Sequence, residues 1–477
     1  MKQALHIFKK DVRYLTREIC LVLALMLAYA RVWTHMRLNP LLVEALLTIA
    51  AGYLIARLIH AEAIPGDNHF WLTRPYRWKS LLGAKLLFIL VFVNLPIFAA
   101  QIIFLVARGF PLLSSMPGLV WSQILIIFAA ELPIAALAAV TTGIVPFIFS
   151  TLILLALGFV IQEMMVAPSL PSVRLLLGPV QWVWDSIAVI TLVIIALTVL
   201  YIQYTRRGTS YSLAFGISVA ALATGAYLYM PWPLGLAVQT RLSKHVVDTS
   251  SIQVAIDPSS KRILRVGKVQ GVQLDLPLAV TGVPDEMEVQ ADALKVTFQG
   301  SDGRTWDSGP YNFPGLPRNL ARADTNIFNG MVVIDPAWFE QERDATVTLR
   351  GTLYLSLFGN SRSKTIPIQT TRVNALDGLQ CASMGTLNDV VCASPNRWPA
   401  RLVYARFAET GTESFSPQRI SYSPFPAGLS FWPIEAEYVS APQSADKVTI
   451  ITKELIQNVR RDFEAHVRLA DLAAVTR

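Results

Sequence analysis

Seven stretches of about 20 mainly apolar residues, all within the first 230, constrain this chain more than any other feature. They fall at roughly 18–36, 41–60, 84–107, 118–140, 142–163, 182–203 and 211–230. A bilayer core about 30 Å thick takes about 20 apolar residues as a helix, and hydrocarbon admits only structures whose backbone amides are all satisfied internally. The expected fold is a membrane-spanning all-α bundle of about seven helices over 18–230. Thr141, Thr142 and Gly143 alone separate the fourth and fifth runs. Ala28-Tyr29-Ala30 in the first run would pass as a signal-peptide cleavage site. Its flank of Lys9, Lys10, Asp11, Arg13, Arg17 and Glu18 is long and mixed in charge, and more spans follow at once, so a retained signal anchor fits better.

The charge is as uneven as the hydropathy. Residues 1–230 hold 16 Lys and Arg against 8 Asp and Glu, whereas 231–477 hold 25 of each, so the net +8 belongs to the apolar part. Charged residues are 16% of the chain and the mean hydropathy is +0.45, where a soluble domain carries about 25% charge. The basic residues punctuate apolar runs instead of gathering on one face, which excludes a nucleic-acid partner and fits positive-inside anchoring in a lipid bilayer. With the N-terminus inside, the inner segments carry Lys2, Lys9, Lys10, Arg13, Arg17, Arg74, Arg77, Lys79, Lys85, Arg206 and Arg207. The outer loops carry Arg31, Arg37, Arg108 and Arg174, and Arg57 lies within the second span. This bias predicts a cytoplasmic N-terminus. Seven spans then place 231–477 on the extracytoplasmic side.

That second part reads as β. Residues 345–357 alternate apolar and polar at period two, and shorter runs at 252–256, 272–280, 288–298, 331–334 and 401–407 repeat the pattern. Asp302-Gly303, Gly309-Pro310 and Pro424-Phe425-Pro426 read as turns between them. An all-β, sandwich-like extracytoplasmic domain is expected, of one sandwich or two. In 447–477 the start resembles a strand, whereas Leu455, Val459, Phe463 and Val467 recur at helical spacing.

Cys20, inside the first apolar run, reads as a small apolar filler. Cys381 and Cys392 outside the membrane are expected to form a disulfide. Its 12-residue loop would stabilise the fold by about 3 kcal/mol. The alternative is two buried thiols. Metal binding is not expected, because no His or further Cys lies near them and the six histidines are scattered. The chain has no GxxxxGK[ST] phosphate loop, no HExxH and no GxSxG, so neither an enzyme nor a bound cofactor is expected.

The segment 60–85 places Trp71, Trp78, Phe70, Pro75 and four basic residues between two spans. One reading is an interfacial stretch, because Trp and Tyr favour the headgroup level and Lys and Arg meet anionic lipid there. The other is a docking element, with Thr73 and Pro75 starting a short helix and an exposed aromatic pair beside Arg74.

The string Phe70-Trp71-Leu72-Thr73-Arg74-Pro75, followed by Ser80-Leu81-Leu82-Gly83-Ala84-Lys85, resembles bacterial permeases of the type-2 ABC exporter class that carry a large extracytoplasmic extension. The motif covers about 30 residues, and the remaining likeness is in the order of apolar runs. The resemblance implies a coupling helix between the second and third spans that docks on a separate ATPase subunit. Phe70, Trp71, Thr73, Arg74, Pro75 and Arg77 would form that surface, and ATP would be bound by the partner. It also implies an amphipathic helix over 1–17 along the inner membrane face, and a second permease copy. Two short re-entrant helices would lie near 164–181, around Pro168, Pro171 and Pro179.

Ionisable residues within spans are costly and often functional. Glu44 lies near the outer end of its run, within reach of the interface. Glu131 has two open readings: the polar lining of a transport path, or a pairing with a neighbouring helix. Asn94 and Pro96 interrupt the third span. The leading expectation is an ABC exporter permease subunit. The alternative is a non-transporting, membrane-anchored sensor or scaffold whose outer β domain binds a protein or cell-wall ligand.

Overall fold

The computed structural model describes residues 2–35, 40–61, 77–166, 181–206, 209–229, 234–235, 237–238, 241, 247–257, 271–312, 327–368, 373–374, 376, 379–384, 389–395, 401–407, 434–440 and 447–473. Helices fill the first part and strands the second. The helices are α1 (Lys2–Tyr14), α2 (Thr16–His35), α3 (Pro40–His60), α4 (Trp78–Ile89), α5 (Leu95–Ala107), α6 (Leu112–Leu125), α7 (Leu132–Val140), α8 (Ile144–Val166), α9 (Gln181–Thr205) and α10 (Thr209–Tyr229). Two π-helical turns, Leu90–Asn94 and Ile126–Glu131, join α4 to α5 and α6 to α7, so each pair is one continuous helix.

Four helical segments are long and apolar enough to cross a membrane among the described residues: Leu42–His60, Trp78–Ala107, Ser115–Val140 and Ser186–Thr205. This chain has the helices of a membrane protein. The other three expected spans are also helices: α2 carries Arg17, Glu18 and Arg31, and α8 holds the shorter apolar stretch Ile144–Val160. Thr141-Thr142-Gly143 does separate two helices, α7 and α8, as their sequence implied.

The helical core runs through Leu47, Leu54, Ile55 and Leu58 of α3, Phe88 and Ile89 of α4, and Ala135, Ala136, Ala138 and Ala139 of α7. The alanines let backbones approach closely, which is how helices associate where lipid is as apolar as leucine. Packing is uneven: α3 lies against α2 and α7, α7 against α9, and α9 against α10. By contrast, Phe149, Ile153, Leu155 and Phe159 of α8 are all exposed.

Among the described residues, the β part forms three sheets from twelve strands. β1 (Gln253–Ile256), β2 (Val272–Thr281) and β5 (Ile327–Ile334) form one, in the order β1-β2-β5. The second has β10 (Arg401–Phe407), β12 (Lys447–Arg468), β6 (Thr346–Pro367), β3 (Glu288–Gln299) and β4 (Thr305–Asn312), in that order. The third has β11 (Ile434–Ser440), β9 (Asp389–Pro395), β8 (Gln380–Met384) and β7 (Val373–Asn374). β6 and β12 are each 22 residues long and pair antiparallel along nearly their whole length.

This ribbon serves two cores. Leu349, Leu353, Leu355 and Leu357 of β6 join Leu274, Leu276 and Leu278 of β2 in the first, beneath Leu469 and Leu472 of the short helix α12 (Leu469–Leu472). Helix α11 (Pro336–Glu342) adds Phe339 to the same core. Ile366 of β6 with Val448 and Ile450 of β12 packs on Leu379, Cys381, Val390 and Cys392 in the second. The segment 447–468 is therefore strand, not helix. Residues four apart share a face of either element, so the spacing of Leu455, Val459, Phe463 and Val467 could not separate the two. Gly309-Pro310 lies inside β4 and not in a turn, because β4 is an edge strand, where proline's missing amide costs no ladder bond. Asp302-Gly303 does turn the chain, with Gly303 at φ +84°.

Candidate functional site

The most unusual chemistry lies inside the helical bundle. Asn94 ends the first π turn and Glu131 the second, and Asn94 Nδ2 donates to Glu131 Oε2 at 2.6 Å. Both side chains are 4% exposed. Local sequence explains why the two helices widen here. Each polar residue is followed by Leu and Pro, as Asn94-Leu95-Pro96 and Glu131-Leu132-Pro133. A proline ring clashes with the carbonyl four residues earlier and removes a donor, and widening the preceding turn relieves both problems. The backbone follows that logic, since Leu95 N–H bonds the Leu90 carbonyl and Leu132 N–H the Ile127 carbonyl. Such π turns often sit at functional positions. About two turns away along the same pair of helices, Gln123 Nε2 donates to Gln101 Oε1 at 2.9 Å, also buried. The outcome is a two-rung polar seam between α4–α5 and α6–α7.

A second polar cluster marks the opposite side of α4. Lys85 Nζ donates to Asp11 Oδ2 at 2.8 Å, and each residue is 1% exposed. Ile7 of α1 packs on Leu81 and Ala84 of α4, while the Phe8 ring lies 6.2 Å from Phe88 and 5.9 Å from Phe92. The apolar face of α1 is thus covered by α4. Backbone bonds continue across Leu15, from Leu15 N–H to Asp11 and from Ile19 N–H to Leu15, so α1 leads directly into α2. Lys85 therefore contributes to the positive bias only as half of an ion pair. Nearby, Arg57 of α3 reaches Glu18 at 3.5 Å and His60 meets Thr141 at 3.1 Å, tying α3 to α2 and to the end of α7.

Of the expected docking residues, Phe70, Trp71, Thr73, Arg74 and Pro75 lie outside the described residues, as does most of the expected re-entrant segment 164–181. Arg77 is described: it is the extended N-cap of α4, and its carbonyl accepts the amides of Ser80 and Leu81. Beside it, the Trp78 ring meets Tyr201 edge-on at 5.9 Å.

Cys381 and Cys392 are joined by a disulfide. They stand directly opposite on β8 and β9 with Cα atoms 4.1 Å apart, and both are buried. At the Arg108 end of α5, Gly109 adopts φ +74°, and a Cβ built there would lie 3.4 Å from Gln380 Nε2, next to that disulfide. No His, Cys, Asp and Glu grouping of metal-binding type occurs among the described residues.

No protein-family model matches the chain, and no curated protein matches it.

The sequence singled out Asn94 and Glu131 but not their partnership, and it missed Gln101, Gln123 and the Asp11–Lys85 pair. A usable signal was the repeated polar-Leu-Pro pattern. Another was Asp11 itself, on the same helical face as the apolar Ile7, Phe8 and Leu15.

Proposed function

We propose that the chain is the membrane-spanning permease subunit of an ABC-type exporter, paired with a second permease copy and driven by an ATPase on a separate subunit. In this reading seven helices cross the inner membrane, the N-terminus is cytoplasmic and the β part is extracytoplasmic. The observation that carries it is the seating of α4. The basic, aromatic stretch ending at Arg77 leads straight into α4, and α4 is clamped to α1 by Asp11–Lys85 and by the Phe8–Phe88–Phe92 contacts. Breaking a buried ion pair is strongly unfavourable, so a push delivered at 70–77 would move α4, α1 and α2 together. Such coupling is what a permease needs to convert a partner's ATP cycle into helix rearrangement. The disulfide supports an oxidising compartment for the β part, and the approach of Gly109 to Gln380 supports placing that part beyond the Arg108 end of the bundle.

The test is a Trp71→Ala/Arg74→Glu variant. It is expected to lose an ATPase that co-purifies with the parent chain while remaining folded in the membrane. Retention of that ATPase would remove the docking role of the stretch.

The second reading, an anchored sensor or scaffold, is favoured by one feature. The β6–β12 ribbon carries two separate cores, a larger construction than a loop between spans requires.

A further inference from the structure

The hydrogen-bond arithmetic at the Asn94–Glu131 pair does not close. Glu131 Oε2 takes the Asn94 amide, but no donor among the described residues reaches Glu131 Oε1 or Asn94 Oδ1. Both atoms are sealed from solvent, and both accept hydrogen bonds. An oxygen pair of this kind next to a carboxylate is a place for positive charge.

Among the described side chains, none supplies that charge there. The ionisable groups on the elements packed against the two π turns are Arg17, Glu18, Cys20, Tyr29 and Arg31 of α2, Lys79 and Lys85 of α4, and Tyr201 and Tyr204 of α9, counting described side chains. Lys85 is committed to Asp11 and lies nine residues before Asn94, about 13 Å along the helix. Glu18 is engaged by Arg57. Arg17 and Arg31 stand toward opposite ends of α2. None of these pairs with Glu131. A carboxylate far from water, held by one amide, carries uncompensated charge, and proteins avoid that state by binding a cation or a proton.

We propose that Asn94 and Glu131 form an intramembrane seat for one monovalent cation, a proton or an alkali-metal ion. A proton on Oε1 makes Glu131 a donor and removes its charge. An alkali ion instead bridges the two orphan oxygens. Because the seat lies where two widened helical turns meet, its occupancy is linked to how closely α4–α5 and α6–α7 approach. An empty seat leaves a bare carboxylate between them. This role is independent of the exporter reading, since it follows from the pair's own geometry in any membrane protein.

The experiment uses the full chain in lipid nanodiscs, labelled with 13C-glutamate, and infrared spectroscopy in H2O and D2O at neutral pH. If the cation is a proton, a protonated carboxylic-acid carbonyl band appears, shifts in D2O and is lost in Glu131→Gln, while Glu44→Gln keeps it. Asn94→Leu, which removes the amide donor and leaves the acid in place, shifts that band without abolishing it. If the cation is an alkali ion, that band is absent. Sodium, but not choline, then raises the unfolding temperature of the parent chain, and the rise is lost in Glu131→Gln and in Asn94→Leu. A spectrum without an acid band, together with equal unfolding temperatures in sodium and choline, would overturn the seat and leave a hydrated clamp. The Asn94→Leu arm keeps the test decisive should Glu131→Gln fail to fold.

Discussion

The helical and β parts handle polar side chains in opposite ways. In the helices such groups are few, and the ones that matter are sunk and paired: Asp11 with Lys85, Asn94 with Glu131, Gln101 with Gln123. The β part displays its pairs, with Arg350–Glu464, Lys295–Asp307 and Arg460–Asp462 all at least one-third exposed. Breaking an ion pair costs little in water and a great deal in a dry bundle, where it leaves one charge buried alone. The helical pairs therefore tie particular helices to one another, while the surface pairs only decorate strands whose order is set by two apolar cores. Two exceptions sharpen the contrast, the first being Lys453 with Glu288 at 2.6 Å, both largely buried. In the second, Asn458 of β12 donates to Ser356 of β6 at 2.7 Å, and Ser356 donates to Asp292 of β3, all three buried. This chain of bonds sits where the ladders of β3 and β12 against β6 become irregular, near Ala291/Ala293 and Leu455/Gln457.

The largest effect is expected at Lys85. Lys85→Met leaves Asp11 buried without its partner and should cost about 3–5 kcal/mol, whereas Lys85→Met/Asp11→Leu should recover most of that loss. Unfolding of the purified protein in detergent measures both, and a single variant costing under about 1 kcal/mol would erase the distinction between the two parts. Next comes the disulfide. Cys381→Ser/Cys392→Ser removes a cross-link closing a 12-residue loop, and denaturant unfolding of the β part should lose about 3 kcal/mol. Arg350→Ala, at a pair more than half exposed on the arginine side, should cost less than about 1 kcal/mol in the same assay.

The smallest effect depends on pH. Partial burial by itself would raise the Asp462 carboxyl, but hydrogen bonds from Thr352 and Arg460 outweigh it and hold the group below its usual range. A depressed folded-state value gives stability that is present above about pH 4 and lost as pH falls through the folded value. Asp462→Asn should therefore remove a small contribution at neutral pH and flatten the acid limb of the stability curve of the β part, leaving stability below the folded value nearly unchanged. An unaltered acid limb would show that the two hydrogen bonds contribute nothing.

Much of the fold was legible because it follows from periodicity. Apolar runs marked the helices, three small or polar residues marked the α7–α8 break, and alternation located β1, β2, β3 and β10 to within a residue or two. The strands around the cysteines were not legible, because β7, β8 and β9 are short and carry little alternation. β6 continues ten residues beyond its alternating stretch, through exposed Asn360–Thr365, since pairing with β12 holds what pattern alone would release. The polar seam was half legible. A lone Glu or Asn in an apolar run shows at once, but the pairing of residues 37 apart is a fact of packing. Asp11 and Lys85, 74 apart, each looked like part of a basic flank until α1 lay on α4.

Partnership with a separate ATPase, as proposed, is decided by gentle detergent capture of the tagged chain from its own host. Mass spectrometry of the captured material should find a stoichiometric partner carrying a GxxxxGK[ST] phosphate loop, lost on Trp71→Ala/Arg74→Glu. Recovery of the chain alone, or with envelope proteins only, would contradict the permease reading and leave the anchored β-domain scaffold in its place.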